Sequence, residues 1–432
     1  MNAPHPRLHR ELGLAGAVLL GLGAMVGTGV FVSIGIAAGH AGPSVVLAII
    51  LAAALAACNA LSSAQLAAIH PVSGGTYEYG YRYLSPWLGF TAGWMFLCAK
   101  SASAAAAAVG FGGYLLTFIG DGVHSPMPLA LFAIVLLTAF VLGGLRHTNR
   151  INAAIVSIGV LALAVFVVVG LSTLGSRGVN PQGLALAGTQ GTEARGFLYA
   201  TALMFVAFTG YGRIATLGEE VRDPRRIIPR AIIATVVIAT LLYVLVAVVI
   251  VGAGGNDMSA NGGDITPLDS VAVRLGAPWL PAVVSIGAIT AMLGVLVNLV
   301  LGLSRVVLAM GRRGDLPHAF ARLHGHTRVP VAAVVSVALG IAALALTGSV
   351  ETTWAFSAFT VLVYYAITNL AALHLPVADR CYPRAFAVAG LLACVFLAFQ
   401  LPVAIWTSGL GLIAGGLVWH WGAFRIRAQY RH

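Results

Sequence analysis

Apolar residues recur along the chain in twelve long runs, bounded by clusters that contain Gly, Pro or Arg. About 20 apolar residues suffice for a helix to cross a bilayer. We therefore predict helices at 12–39, 44–69, 87–119, 128–145, 151–174, 196–218, 228–252, 279–310, 330–347, 352–375, 384–401 and 403–423. Lipid cannot satisfy the backbone of an open sheet, and the sequence lacks the alternation typical of a membrane barrel. The pattern predicts an all-α integral membrane protein with about 12 transmembrane helices.

Composition agrees with this prediction and narrows the domain organisation. Hydrophobic residues make up 59% of the 432 residues and charged residues only 9%. The predicted helices use so much of the chain that we expect one transmembrane domain over 1–432, without a soluble catalytic or nucleotide-binding domain. The first apolar run follows basic residues as a secretion signal does, but eleven runs come after it, and we expect it to remain as a membrane helix.

The net charge of +11 is explained by the orientation in the membrane. With a cytoplasmic N-terminus, most of the 24 Lys and Arg residues lie on the cytoplasmic side, whereas Arg177, Arg195 and Arg274 lie on the other. Cytoplasmic loops of membrane proteins carry such an excess. We predict a multi-pass protein of the cytoplasmic (inner) membrane with both termini in the cytoplasm. The lipid bilayer is its expected partner, and nucleic acid is not.

Two of the predicted helices are interrupted by glycine near their middle. The first contains Gly27-Thr28-Gly29, and the sixth contains Phe208-Thr209-Gly210-Tyr211-Gly212. Glycine-broken helices at matching places in two halves are typical of inverted-repeat transporters, whose substrate binds between them. Half-helix N-termini attract a carboxylate, and half-helix C-termini attract an ammonium group or a cation. The alternative interpretation of each segment is close helix packing through glycine.

Four motifs, in order, resemble those of the amino acid–polyamine–organocation (APC) superfamily of permeases. They are the stretch from Glu11 to Phe31, Pro71 to Tyr79, Phe208 to Ala231, and Arg305 to Pro317. The resemblance implies a five-plus-five inverted repeat with broken helices 1 and 6, with repeats at about 11–174 and 196–375 and two peripheral helices at 384–423. It also implies an amino acid substrate.

The resemblance places the expected substrate site at the two interruptions, which include Gly27 and Gly210. A substrate carboxylate would meet the backbone amides of Thr28 and Gly29. Its amine would meet the backbone carbonyls of Met25, Val206 and Thr209. Two rings are candidates for an aromatic wall or gate, with ordinary helix packing as the alternative: Phe205 and Phe208. Charged residues after helix 6 are expected to form a cytoplasmic gate: Glu219, Glu220, Arg222, Asp223, Arg225 and Arg226.

The single lysine of the chain, Lys100, lies in the middle of the third predicted helix. An ionisable residue inside the membrane is by default a functional hypothesis. We predict that Lys100 is the proton-coupling group, or a built-in cation where relatives bind sodium. The alternatives are snorkelling to the membrane surface and a structural bond to carbonyls of the broken first helix. Family members often carry an acidic residue just after the motif that ends at Tyr211, but this sequence has Gly212 followed by Arg213. Asn298 and Ser304 are further candidates for the site.

Taken together, the sequence predicts a secondary active transporter of amino acids that works by alternating access, proton-coupled or by exchange, without a cofactor. A proton or sodium gradient would supply the energy. The alternatives within the fold are an exporter and a polyamine or organocation carrier; those of another class are a channel and a membrane-embedded enzyme. The sequence lacks the motifs HExxH, GxSxG and Walker A, so it gives no support to an enzyme or an ATP-driven pump. The amino acid and the oligomeric state are left open.

Overall fold

The computed structural model describes residues 13–70, 74–119, 125–143, 149–177, 191–215, 221, 223–254, 265–324 and 329–429. These residues are almost entirely helical, and the described part of the chain has no β-strand beyond one isolated bridge between His324 and Val329. The α-helices, numbered α1 to α16 in order, are Leu14–Met25, Ile34–Ala41, Val45–Ile69, Thr76–Tyr83, Pro86–Ile119, Met127–Leu142, Asn149–Arg177, Gly191–Phe208, Gly212–Ala215, Pro224–Gly252, Pro267–Leu275, Leu280–Arg313, Val331–Ala345, Val350–Leu373, Arg384–Ala398 and Val403–Gln429.

Eight helical segments of the described chain are long and apolar enough to cross a membrane. They are Gly29–Ile69, Pro86–Ile119, Ile151–Ser176, Ala194–Ala215, Pro224–Gly252, Leu280–Arg313, Val350–Leu373 and Val403–Gly422. Four shorter apolar helices, α1, α6, α13 and α15, accompany them. Each of the twelve apolar runs predicted from the sequence overlaps at least one helix. The all-helical membrane architecture is therefore confirmed at this level.

Three short helical segments differ from the sequence prediction. The amphipathic helix α4 and the short helix α11 were not predicted, because each contains too many polar residues for an apolar run. The helix predicted at 228–252 begins earlier, because Pro224–Pro229 forms the first turns of α10. Pro224 is well tolerated at the first helical position, because the first amides of a helix have no intrahelical acceptor, whereas Pro229 lies inside the helix.

The centre of the bundle and its periphery differ strongly in burial. In the most apolar windows of α5 and α14, 72% of the residues are buried, against 11% in α16. A run of small residues along α5, 102–108, is buried and brings this helix close to α12 and α14. Small side chains permit such close helix packing in membranes. Helix α5 is thus a central element, and α16 lies at the edge.

Both glycine-containing interruptions predicted from the sequence are present. Helix α1 ends at Met25, and Val26 leaves helical geometry with φ −78° and ψ 99°. The chain resumes as a π-helical turn at Gly29–Ser33 and continues as α2. Helix α8 ends at Phe208 and tightens into the 3-10 turn Thr209–Tyr211 before α9.

The two interruptions are in direct contact. A Cβ atom added to Gly210 would lie 2.6 Å from the backbone carbon of Ala24, and one added to Gly29 would lie 2.7 Å from the Cβ of Ala207. Only a residue without a side chain fits at either point without displacing the opposite segment. The two breaks therefore meet in the interior of the bundle, where a common site can form.

Candidate functional site

A cavity of about 420 Å³ lies at the meeting point of the two interruptions. The first interruption and its flanks contribute Met25, Gly27, Thr28 and Gly29 to the lining, and the second contributes Val206, Thr209 and Gly210. The cavity extends along α12 to exposed residues at the end of that helix, Arg305 and Arg312. All seven residues that the sequence predicted as backbone ligands or glycine breaks therefore line one space.

The first interruption presents backbone donors to this cavity. The amides of Val30 and Phe31 both donate to the carbonyl of Gly27, at 3.1 and 3.0 Å. Because a helix leaves the amides of its first turn without intrahelical acceptors, the amides of Thr28 and Gly29 lie at a half-helix N-terminus. The Thr28 hydroxyl is buried and has no hydrogen-bond partner among the described residues. This half of the site suits an anion.

The backbone carbonyls at the interruptions already accept hydrogen bonds from protein hydroxyls. The Tyr243 hydroxyl donates to the carbonyl of Met25 at 2.7 Å and to that of Ala207 at 3.2 Å. The Thr209 hydroxyl donates to the Val206 carbonyl at 2.7 Å. The Tyr365 hydroxyl donates to the Thr209 carbonyl at 3.3 Å. A carbonyl oxygen has two lone pairs, so those of Met25 and Val206 keep capacity for a second donor. The Thr209 carbonyl also accepts from the backbone amide of Gly212.

Lys100 extends from α5 to the second interruption. Its Nζ donates to the Thr209 hydroxyl at 2.9 Å, across 109 positions of sequence, and the side chain lines the cavity. This contact is with the second broken helix, whereas the sequence alternative placed a structural bond on carbonyls of the first. One helical turn further along α5, the hydroxyls of Ser103 and Ser357 lie 2.8 Å apart and tie α5 to α14.

The two predicted aromatic residues lie behind the cavity. Phe205 and Phe208 are fully buried, and neither belongs to the lining. Phe205 packs edge-on against Tyr365, with ring centroids 5.8 Å apart, and Phe208 packs against Tyr243 at 5.1 Å. These rings support the two tyrosines whose hydroxyls reach the broken helices. A role as a wall or gate stays a prediction from the sequence.

The further candidates from the sequence separate into lining and non-lining residues. Asn298 lines the cavity and its Nδ2 donates to the Oδ1 of Asn152 at 3.0 Å, while Arg213 also belongs to the lining. Ser304 is buried, and its hydroxyl donates to the carbonyl of Leu301 on its own helix. Ser304 does not belong to the lining.

Half of the predicted cytoplasmic gate lies outside the described residues: Glu219, Glu220 and Arg222. Within the described part, Asp223 and Arg226 approach to 3.9 Å on the surface at the start of α10. Both side chains are more than half exposed, so this pair contributes little to stability. Arg225 is exposed in the same turn.

A polar cluster with shorter contacts than the Asp223–Arg226 pair lies near the end of the cavity that reaches Arg312. The sequence did not predict it. The hydroxyls of Tyr77 and Tyr81 donate to Oδ2 of the buried Asp315, at 2.6 and 2.8 Å. Beside them, Arg313 pairs with Glu78 at 2.7 Å. Burial and the bond to Asp315 raise the pKa of Tyr77 well above its ordinary value. The cluster joins α4 to the end of α12, and all of its residues except Tyr81 lie in two of the four family motifs, Pro71 to Tyr79 and Arg305 to Pro317.

The opposite end of the bundle has its own polar cluster, which the sequence analysis also missed. The His40 Nε2 and the Glu351 Oε1 lie 2.8 Å apart, and the Tyr199 hydroxyl donates to the same carboxylate oxygen at 3.0 Å. These residues join α2, α8 and α14 and do not line the cavity. No local signal marks them, because the three residues are distant in sequence.

Comparison with known proteins indicates the same family of permeases as the four sequence motifs. The family model described as "Amino acid permease" matches residues 16–431. An uncharacterized transporter of Mycobacterium tuberculosis is 41% identical over 95% of this chain and 90% of its own. The branched-chain amino acid permease BcaP of Bacillus subtilis is 30% identical over 76% of this chain and 72% of its own. Human cationic amino acid transporter 4 is 31% identical over 83% of this chain and 58% of its own.

The chain belongs to the amino acid permease family of the APC superfamily, as its motifs predicted. It is a multi-pass membrane protein with several apolar helices. The family and the names of the relatives support amino acid transport over an enzymatic activity.

Proposed function

We propose that this protein is a secondary active transporter that carries amino acids across the cytoplasmic membrane by alternating access, with both termini in the cytoplasm. The observation that carries the proposal is the shared cavity of about 420 Å³. It contains a half-helix N-terminus on one side and backbone carbonyls on the other. A zwitterion needs this combination of donors and acceptors, at a spacing that two touching half-helices supply.

The binding mode follows from the polarity of the two interruptions. The α-carboxylate accepts from the amides of Thr28 and Gly29, and the Thr28 hydroxyl provides a third donor. The α-amine donates to the carbonyls of Val206 and Thr209, with Met25 nearby. The Val206 and Met25 carbonyls use their second lone pairs, since the Thr209 and Tyr243 hydroxyls hold the first. The Thr209 carbonyl exchanges one of its two present donors, the Tyr365 hydroxyl or the Gly212 amide, for the amine. The hydroxyls also fix the direction of each carbonyl, which preorganises the site.

Alternating access is supported by the unequal ends of the cavity. One end reaches exposed Arg305 and Arg312, which the charge distribution assigns to the cytoplasmic side. At the opposite end of the bundle, outside the lining, His40 pairs with Glu351 and Tyr199 donates to the same carboxylate. In an inverted repeat of five plus five helices, rocking of one bundle would exchange these two arrangements. Uptake, exchange and export would use the same site and differ only in their gradients.

Lys100 is the group that we assign to coupling. It lies in the cavity, in contact with Thr209 of the second interruption. A lysine there can bind and release a proton as the site opens to either side, or stand as a fixed cation in place of sodium. An arginine is not deprotonated in proteins, so an arginine at this position could act as a fixed cation but could not carry a proton. The substitution Lys100→Arg should preserve exchange of substrate but abolish accumulation driven by a proton gradient.

Counterflow in proteoliposomes tests the proposed function. Vesicles loaded with unlabelled amino acids should take up the same labelled amino acid in a saturable manner, without ATP. Gly210→Ala is expected to abolish this uptake, and Gly340→Ala, where an added Cβ meets nothing within 4 Å, is the matched control. Uptake that rises linearly with concentration would indicate a channel, and chemical conversion of the label would indicate an enzyme. Either result would overturn the proposal.

A further inference from the structure

We infer that the cavity is built for an anionic amino acid, with the side-chain carboxylate of aspartate or glutamate paired with Lys100. The inference rests on the proposed function and names the substrate class of the same site. It starts from the charges that surround the cavity. The charged residues in its lining are all basic: Lys100, Arg213, Arg305 and Arg312. Among the described residues of the lining, none is Asp or Glu.

The charge on Lys100 carries the argument. Arg305 and Arg312 are exposed at the end of α12, where the orientation of the protein in the membrane already accounts for basic residues. Lys100, in contrast, lies in the interior, and its recorded partner is the neutral hydroxyl of Thr209. The ion pairs of the described residues include none with Lys100. A buried ammonium without a carboxylate is costly, and an anionic ligand removes that cost.

A zwitterion alone leaves the lysine charge without a partner on the substrate. The α-carboxylate takes the amides of Thr28 and Gly29, and the α-amine takes the carbonyls at the second interruption. Lys100 is then an additional cation inside the site. A second carboxylate on the substrate would complete a buried charge-assisted hydrogen bond, which is among the strong polar contacts in proteins.

The geometry places this extra cation within reach of the substrate side chain. Lys100 bonds to the hydroxyl of Thr209, and the carbonyl of the same residue is one of the predicted amine ligands. A carboxylate two or three bonds from the α-carbon can therefore meet the ammonium while the amine stays bound. A lysine, arginine or polyamine substrate would instead place like charges side by side, which is unfavourable in a site shielded from water.

Paired substrates of nearly equal size give a direct test. Counterflow and thermal stabilisation are compared within two pairs, L-glutamate with L-glutamine and L-aspartate with L-asparagine. L-lysine is measured separately as a competitor. We expect the acidic member of at least one pair to bind about tenfold more tightly than its amide, the ratio that one modest charge pair provides. L-lysine should not compete. Equal affinity for acid and amide in the wild type would contradict the inference.

Variants of Lys100 link the preference to this residue. Lys100→Gln should reduce the acid-to-amide ratio to near unity, whereas Lys100→Arg should keep it, because the charge remains. Ser101→Ala, next to Lys100 but outside the lining, is the matched control and should leave the ratio unchanged. If Lys100→Gln unfolds, the Lys100→Arg variant and the wild-type ratios still decide the question. A preference that survives intact in Lys100→Gln would refute the inference.

The same measurements distinguish this inference from the proposed function. Saturable exchange of neutral or cationic amino acids, with no preference for acidic ones, would overturn only the substrate class. Failure to exchange or bind any amino acid would overturn both.

Discussion

Both helix interruptions contain a threonine and two glycines, but they break the helix in different ways. At Val26 the chain turns out of the helix with ψ 99°, and the next turn is a wide π-helical one. At Thr209–Tyr211 the chain stays helical and only tightens into a 3-10 turn. The first break therefore presents the start of a half-helix, whereas the second keeps the backbone nearly continuous.

This difference gives the two halves of the site different chemistry. The first interruption presents amides and the unpartnered Thr28 hydroxyl to the cavity. The second presents carbonyls that Thr209 and Tyr365 already hold, together with the ammonium of Lys100. A glycine-broken helix thus has no fixed binding property. Its chemistry depends on which backbone groups the break exposes and on which side chains reach them.

Gly210→Ala should have the largest effect, because it separates the two interruptions. The new Cβ would lie 2.6 Å from the backbone carbon of Ala24, which cannot move aside as a flexible side chain can. Overpacking of this kind costs about 1–3 kcal/mol, and here it also displaces the ligands. Transport should be lost and the unfolding temperature in detergent should fall. Wild-type uptake by Gly210→Ala would show that the contact between the breaks is dispensable.

Tyr243→Phe should have the next largest effect, since one hydroxyl serves both broken helices. Its loss leaves the carbonyls of Met25 and Ala207 without this donor, at a cost of about 1–3 kcal/mol. The ring that packs on Phe208 is retained. Tyr365→Phe removes a longer bond, to the carbonyl of Thr209 only, and should destabilise the broken helices less. Thermal unfolding of both variants measures which substitution destabilises more. A larger loss of stability in Tyr365→Phe than in Tyr243→Phe would contradict this prediction.

Thr28 and Thr209 should differ in the effect on stability of the isosteric change to valine. Thr28→Val removes a hydroxyl without a partner in the described structure, so stability should be kept while substrate affinity falls by about 2- to 10-fold, the value of one hydrogen bond. Thr209→Val removes the bonds to Val206 and Lys100, so both stability and affinity should fall. The unfolding temperature without substrate reports the stability of each variant, and its rise with added substrate reports the affinity. Equal loss of stability in the two variants would show that the hydroxyls are equivalent.

The smallest effects are expected on α12, at two residues that the sequence did not separate. Asn298→Ala removes a bond to Asn152 beside the cavity and should cost about 1 kcal/mol in stability. Ser304→Ala removes only a bond within its own helix, and alanine compensates through its better helix propensity. Transport by Ser304→Ala should match the wild type. A defect larger than that of Asn298→Ala would mean that Ser304 acts on the site.

Much of the membrane architecture and of the backbone site could be predicted before the structure was known. Apolar runs located every large helix, and the interruptions at Gly27 and Gly210 were expected where they occur. The two aromatic residues show the limit of such reasoning. Phe205 and Phe208 are candidates for a wall or gate by the family resemblance, yet neither lines the cavity, and each packs on a tyrosine that reaches the broken helices. Helical periodicity places a residue on a face but does not say which neighbour covers that face.

The polar clusters at the two ends of the bundle show the same limit. His40 and Glu351 are 311 positions apart, and Tyr77 and Asp315 are 238 positions apart. Neither pair has a recognisable spacing. The predicted gate after helix 6, in contrast, lies within one family motif, and its described members Asp223 and Arg226 form only an exposed contact.

The sequence by itself determined the class of the protein, its helices, its family and the positions at which two helices break. These are local properties. A chain in lipid must form its backbone hydrogen bonds within each helix, and a glycine weakens the helix at its own position. Only the tertiary structure decided the chemistry of the breaks. Packing brought Tyr243 to both broken helices and Lys100 to Thr209, across distances in sequence that no local pattern encodes. The breaks were local, but their partners were set by the fold.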